Sequence, residues 1–127
     1  MLLGIFAILP LNAVHAQSTL TLSIHSATNE YEIDGYNVML YQNGQVINSG
    51  LTPTTFSVIQ GQTYSIQADN NGSYCFDYWN NYNTIDYSNS NPLTFTAESD
   101  PGSTNYIGLV AVYTACGTST STTTTTS

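Results

Sequence analysis

The sequence predicts an all-β fold, an antiparallel β-sandwich of about seven to eight strands. Three observations predict it. After residue 16, no stretch shows the spacing of apolar positions that marks an amphipathic helix. Short runs of alternating apolar and polar residues recur instead, separated by turn residues. No alternation of strand and helix patterns appears, which argues against a parallel α/β sheet.

The strands follow in order. Residues 19–25 alternate with Leu20, Leu22 and Ile24 on one face. Residues 35–42 place Tyr36, Val38 and Leu40 on one face and Met39 and Tyr41 on the other. Asn43-Gly44 comes next, and both residue types accept a positive φ, so residues 45–48 are expected to pair back antiparallel. Gly50-Leu51-Thr52-Pro53 reads as a second turn. Runs 54–59 and 63–68 flank Gln60-Gly61-Gln62 and are expected to form a hairpin. Asp69-Asn70-Asn71-Gly72 turns the chain into residues 74–79, and runs 92–97 and 106–116 complete the set. Residues 107–113 are apolar on both faces, as expected of a central strand covered on both sides. The longest irregular segment is 81–91; it and segments 26–34 and 98–105 are loops of the kind where binding residues gather.

The two ends read differently from the middle. Residues 1–16 hold an apolar run too short to span a bilayer, and Val14-His15-Ala16 gives a small-x-small cleavage pattern. A secretory signal peptide is expected there, although its usual basic n-region is missing. Residues 117–127 form a Ser/Thr tract that cannot bury apolar surface, so a disordered tail or linker is expected. The β-module is then residues 17–116, placed in a secreted or cell-surface protein.

Charge narrows the partners. The chain has no Lys or Arg and eight Asp or Glu, for a formal net charge of −8. Without cations it cannot neutralise phosphates, so no nucleic acid is expected as a partner. Anionic membrane surfaces are equally unsuited, and no membrane insertion of the mature module is expected. A fold built without Lys or Arg ion pairs loses little when carboxylates protonate, so the composition suits an acidic exterior. In an exported chain, Cys75 and Cys116 are expected to form a disulfide, closing a loop of about forty residues. Two cysteines and the one histidine after residue 16 are too few for a structural zinc site, so no metal and no cofactor are expected.

The stretch GLTPTTFSVIQGQTYSIQA resembles the G-x-TP-x-x-F…G-x-x-Y-x-V pattern of PEGA-type extracellular β-modules, with Gly50, Thr52, Pro53, Phe56, Gly61, Tyr64 and Ile66 at the matching places. Tyr74, Phe76 and Trp79, followed by Ala111, Val112 and Tyr113, resemble the F-x-x-W…A-V-Y signature of secreted archaeal and bacterial β-repeat modules. The resemblance spans roughly residues 19 to 116. It implies an immunoglobulin-like or PEGA-like sandwich with structural, adhesive or accessory roles and no catalytic residues. Only one copy is present here, and the segment between Trp79 and the last strand is longer than the resemblance implies.

The candidate sites concentrate in SYCFDYWNNYNTIDYSN, residues 73–89. Strict alternation would put Phe76 and Trp79 on opposite faces, so they share a core only if a bulge intervenes. The resemblance implies that they do, and Phe76, Trp79 and Tyr113 are expected as structural core. Tyr78 and, beyond Asn80, the residues Tyr82, Asp86 and Tyr87 are candidates for a sugar-stacking surface, weighed against a plain solvated loop. Asn71-Gly72-Ser73 is a glycosylation sequon at a turn, which makes Asn71 a candidate acceptor. The neighbouring Asp69 and Asn70 lack the full calcium-loop pattern and read as a turn. His25 could serve as a base near Glu30 or Asp34, but no nucleophile motif accompanies it, and no enzyme is expected. The expected function is a non-catalytic structural or adhesive module, with glycans or neighbouring surface-protein modules as partners. The alternatives are a carbohydrate-binding module using the 78–87 loop and a subunit of an extracellular filament.

Overall fold

The structure, a computed structural model, describes residues 17–81 and 87–117. The expected signal peptide, the Ser/Thr tract from residue 118 onward, Tyr82 and Asp86 lie outside the described residues. Ten strands are present among those described: β1 (Thr19–Ala27), β2 (Glu32–Ile33), β3 (Asn37–Gln42), β4 (Gln45–Leu51), β5 (Thr54–Ile59), β6 (Thr63–Ala68), β7 (Tyr74–Asn81), β8 (Tyr87–Ser88), β9 (Leu93–Thr96) and β10 (Tyr106–Ala115). They form two sheets. One runs β2-β1-β10-β7-β8, with β5 also paired to β1, and the other runs β4-β3-β6-β9. The molecule is all-β, as the sequence predicts, and the sheets pack face to face as a sandwich.

The alternation of apolar residues builds the space between the sheets. Leu20, Leu22 and Ile24 of β1 are buried, as are Tyr36 and, on β3, Val38 and Leu40. Phe56 and Val58 of β5, Tyr64 and Ile66 of β6, and Ile107, Leu109, Ala111 and Tyr113 of β10 complete one continuous core with Trp79. Burying side chains of this size is the main force holding the sheets together, at roughly 1.5–3 kcal/mol each. The Asn43-Gly44 hairpin forms as expected: Asn43 has φ 53° and Gly44 φ 78°, and Gln42 pairs with Gln45. On β10, Val112 is buried outside the main core and Val110 is half-buried, so the two-faced apolar pattern reflects its central place between β1 and β7.

Two expectations are corrected. Residues 54–59 and 63–68 do not form a hairpin. β5 pairs antiparallel with β1, while β6 pairs with β3 and β9, so Gln60-Gly61-Gln62 carries the chain from one sheet to the other. Both strands bury their alternate residues against the common core, and that pattern is the same for a hairpin as for a sheet-to-sheet crossing. The sandwich is also not purely antiparallel. β1 and β10, the first and last strands described, pair in parallel from Thr21↔Tyr106 to Ala27↔Val112.

A buried hydroxyl network explains Thr52, which the surrounding turn covers to 3% exposure. Ser26 Oγ donates to the Ile33 carbonyl (2.5 Å), so its single proton is used and it accepts from the Thr52 hydroxyl at 2.6 Å. Thr52 Oγ1 in turn accepts from the Tyr36 amide at 3.0 Å. Three segments, β1, β2 and the turn after β4, are thereby fixed by donors and acceptors that water cannot reach. Gly50 sits beside this turn, and a Cβ there would lie 2.7 Å from Thr54 Oγ1, too close for any other residue without movement.

Cys75 and Cys116 form the expected disulfide, with Cα atoms 5.0 Å apart and a sequence separation of 41. It ties the start of β7 to the end of β10. We expect a Cys75→Ala/Cys116→Ala chain to lose about 4 kcal/mol of stability, the loop-closure entropy that the bridge removes from the unfolded state. Urea unfolding of the two forms, each extrapolated with its own slope, checks this value.

Candidate functional site

The aromatic stretch that draws attention in the sequence is divided by a bulge. The register of β7 against β10 runs Val112↔Tyr78 and then Tyr113↔Phe76, which leaves Asp77 as the extra residue. Asp77 is exposed, and the shift turns Phe76 and Trp79 toward the same side. Their ring centroids lie 5.3 Å apart at 51°, and Phe76 meets Tyr113 edge-on at 6.2 Å. Trp79 is 1% exposed and Tyr113 is equally covered, while Phe76 is half-buried and packs against the core. The Trp79 indole N–H is buried and has no hydrogen-bond partner among the described residues.

Of the loop candidates, Tyr78 is half-buried on the side of the sheet away from the core. The backbone of Tyr87 pairs with Asn80 in β8, but its side chain, like Tyr82 and Asp86, lies outside the described residues. Asn71 is exposed at a tight turn, where its backbone N–H and carbonyl both bond Tyr74 at 2.9 Å. The adjacent oxygens are taken by protein donors: Asp69 accepts from Asn37 Nδ2 (2.8 Å) and Gln67 Nε2 (3.1 Å), and Asn70 Oδ1 from the Phe76 amide (2.8 Å). His25 Nδ1 meets Glu32 at 2.9 Å, because β2 pairs back onto β1.

Two concave surfaces stand out. One, of about 410 Å³, lies on the outer face of the second sheet and is lined by Tyr41, Gln42, Thr63, Ser65, Gln67 and Pro92. Several of its polar groups are bonded to protein partners. Gln42 Nε2 donates to Gln62 Oε1 at 2.8 Å, Ser65 and Thr94 hydroxyls meet at 2.9 Å, and the Tyr41 hydroxyl donates to Gln67 Oε1 at 3.4 Å.

The other, of about 310 Å³, lies where β10 ends, beside the disulfide, and includes Glu30, Tyr31, Tyr74 and Thr114. The loop after β1 carries Tyr31 across the end of β10 to Tyr74 on β7, and their hydroxyls are 3.3 Å apart. Thr28 Oγ1 accepts from the amides of Glu30 and Tyr31, both at 3.2 Å, and the Thr28 amide donates to the Tyr31 carbonyl at 2.8 Å. Tyr74 leans edge-on against Tyr36 at 6.5 Å, and Tyr36 packs on Tyr113 at 4.6 Å. Sequence reading missed Tyr31, because a single tyrosine in a polar loop carries no pattern; the Thr28-x-x-Tyr31 turn was its only signal.

It also missed Asp100, which is 5% exposed and organises the loop before β10. Its carboxylate accepts from the Gly108 amide at 2.8 Å and from Asn81 Nδ2 at 3.1 Å, and its own amide donates to the Tyr106 carbonyl at 2.7 Å. The Asp100-Pro101-Gly102 turn signal was visible in the sequence, but the burial of its acid was not.

No family model matches the chain, and no curated protein matches it either.

Burial pushes the Tyr113 hydroxyl well above its ordinary value, and the nearby Asp69 adds to the effect. Burial also raises Tyr36. A phenol that holds its proton more tightly when folded stabilises the fold below its unfolded value of 10.0 and loses that contribution as pH rises beyond it. We therefore expect alkaline unfolding to begin above about pH 10. Tyr113→Phe should flatten this alkaline loss while costing about 1 kcal/mol at neutral pH, from the lost hydrogen bond to the Asp69 carbonyl at 2.8 Å. Circular dichroism and tyrosinate absorbance, followed through one titration, check both parts.

Proposed function

We propose that this chain is a non-catalytic structural and adhesive β-module of a cell-surface or secreted protein. The observation that carries the reading is the parallel pairing of the terminal strands. Because β1 and β10 run side by side in the same direction, the chain enters the module at one end and leaves it at the other. Tension along the chain then loads the hydrogen bonds between these strands together, in shear, and does not open them one by one. The disulfide sits at the exit and ties Cys116 to Cys75, so β10 and β7 take up the load together. The disulfide and the absence of a membrane-crossing helix among the described residues are compatible with life outside the cell. The likeness of Gly50, Thr52, Phe56, Gly61 and Tyr64 to PEGA-type modules supports the same class.

Single-molecule pulling tests this. Loaded through residues 17 and 117, the module should resist a higher force than when loaded through Gln17 and Gln60, which lie at one end of the antiparallel β1–β5 pair and unzip it. Reduction should lengthen each unfolding step by roughly 140 Å, the extended span of the 41-residue separation closed by the bridge. Equal or lower resistance through the termini would remove the mechanical argument.

A filament subunit is the second reading, favoured by the edge strand β4. It ends its sheet, contains no charged residue, and exposes Val46, Ile47 and Leu51 by about half or more. Such an edge is a template for pairing with another chain. Electron microscopy of concentrated protein should then show polymers that Ile47→Lys abolishes; monomers in both samples would reject the reading.

A further inference from the structure

We propose that the groove between Tyr31 and Tyr74 is a binding site for neutral saccharides. The inference rests on the adhesive part of the reading above and names its ligand class. Tyr31 is 55% exposed, while its backbone and its hydroxyl are both held by protein groups. The Thr28 turn fixes its backbone, Tyr74 meets its hydroxyl, and Tyr36, itself packed on Tyr113, supports Tyr74 from the core. The opposite wall is the end of β10, fixed to β7 by the disulfide. A site whose rings are already ordered loses little freedom when a ligand arrives.

The lining chemistry selects the ligand. Tyrosine rings offer flat apolar faces with a polar tip, which match the apolar face and hydroxyl rim of a pyranose. Thr28, Asn29, Glu30 and Thr114 line the same groove with hydroxyl, amide and carboxylate groups. The Glu30 carboxylate can only accept, and a sugar presents the donors it needs. Anionic sugars are excluded: Glu30 repels them, and the chain has no Lys or Arg to receive them. A volume of about 310 Å³ is at the lower end of small-ligand sites and suits one or two sugar units. A proline-rich peptide also stacks on paired tyrosines, but its proline units offer the Glu30 carboxylate no donors, whereas sugar hydroxyls do.

The test uses protein made in a host that does not glycosylate Asn71, so that no attached glycan competes for the neighbouring groove. The probes are glucose-, mannose- and galactose-based neutral oligosaccharides, sialylated and sulfated counterparts, and an oligoproline peptide, read on an array and then by calorimetry. At least one neutral series should bind. Tyr31→Ala should weaken it by about tenfold or more, while Tyr31→Phe, which keeps the ring, should stay within about threefold. Equal melting temperatures for both variants show that the fold is intact, which the exposure of Tyr31 leads us to expect. Binding of none of the neutral series, binding unaffected by Tyr31→Ala, or preference for the charged glycans or oligoproline would each overturn the proposal. If the terminal strands still resist force while no saccharide binds, the site fails and the structural module stands.

Discussion

The fold depends on bringing the two ends of the module together. β1 and β10 are neighbours at the centre of the larger sheet, and β2, β5 and β7 each pair directly with one of them. β5 and β2 lie on the free side of β1, while β7 and, beyond it, β8 lie on the free side of β10. The pairing joins residues about eighty-five apart in sequence, so loop-closure entropy is lost before the contact contributes. Its compensation is apolar: Leu22 and Ile24 of β1 and Ile107, Leu109 and Ala111 of β10 are all buried in one core. The second sheet can cover that core only because its own alternating residues, Val38, Leu40, Tyr64 and Ile66, face the same space.

The absence of Lys and Arg shapes the rest. With no strong cation to meet them, the acids that the fold uses accept from neutral donors. Asp69 is bonded by two side-chain amides, and Asp100 by a backbone amide and an asparagine. The His25–Glu32 contact is an ion pair only when the imidazole is protonated, and it lies at the surface where such pairs contribute little. Recognition by such a surface must rely on aromatic faces, hydroxyls and amides. Tyrosine supplies both the apolar body and the polar tip, which is why one cluster can serve both packing and binding. Tyr113 and Tyr36 close the core at the end where β10 exits, and the same rings support Tyr74 and Tyr31 at the surface.

Local features were legible in the sequence wherever their cause was local. The Asn43-Gly44 hairpin could be read because positive φ is a property of those two residues. The buried faces of β1 and β3 could be read because alternation fixes which side chains share a side. Gln60-Gly61-Gln62 was misread because a sheet-to-sheet crossing and a hairpin leave the same alternation in their flanking strands. The bulge at Asp77 was foreseen only as a condition, that Phe76 and Trp79 share a core; its position came from the register of β7 against β10. Of the candidate binding residues, Tyr78 is placed half-buried on the sheet, whereas Tyr31 entered only through its neighbours.

By itself, the sequence determined that this chain makes strands, where most of them turn, that no helix pattern or cation is available after residue 16, and that two cysteines could bridge. These follow from residue type and short-range spacing, which act before any fold exists. Only the tertiary structure decided that the first and last strands among the described residues pair in parallel, that β5 and β6 belong to different sheets, and that Tyr31 and Tyr74 meet beside the disulfide. The physical reason is that strand direction and pairing partner are set by the packing of a shared core over long sequence separations. Alternation is identical for every partner a strand could take.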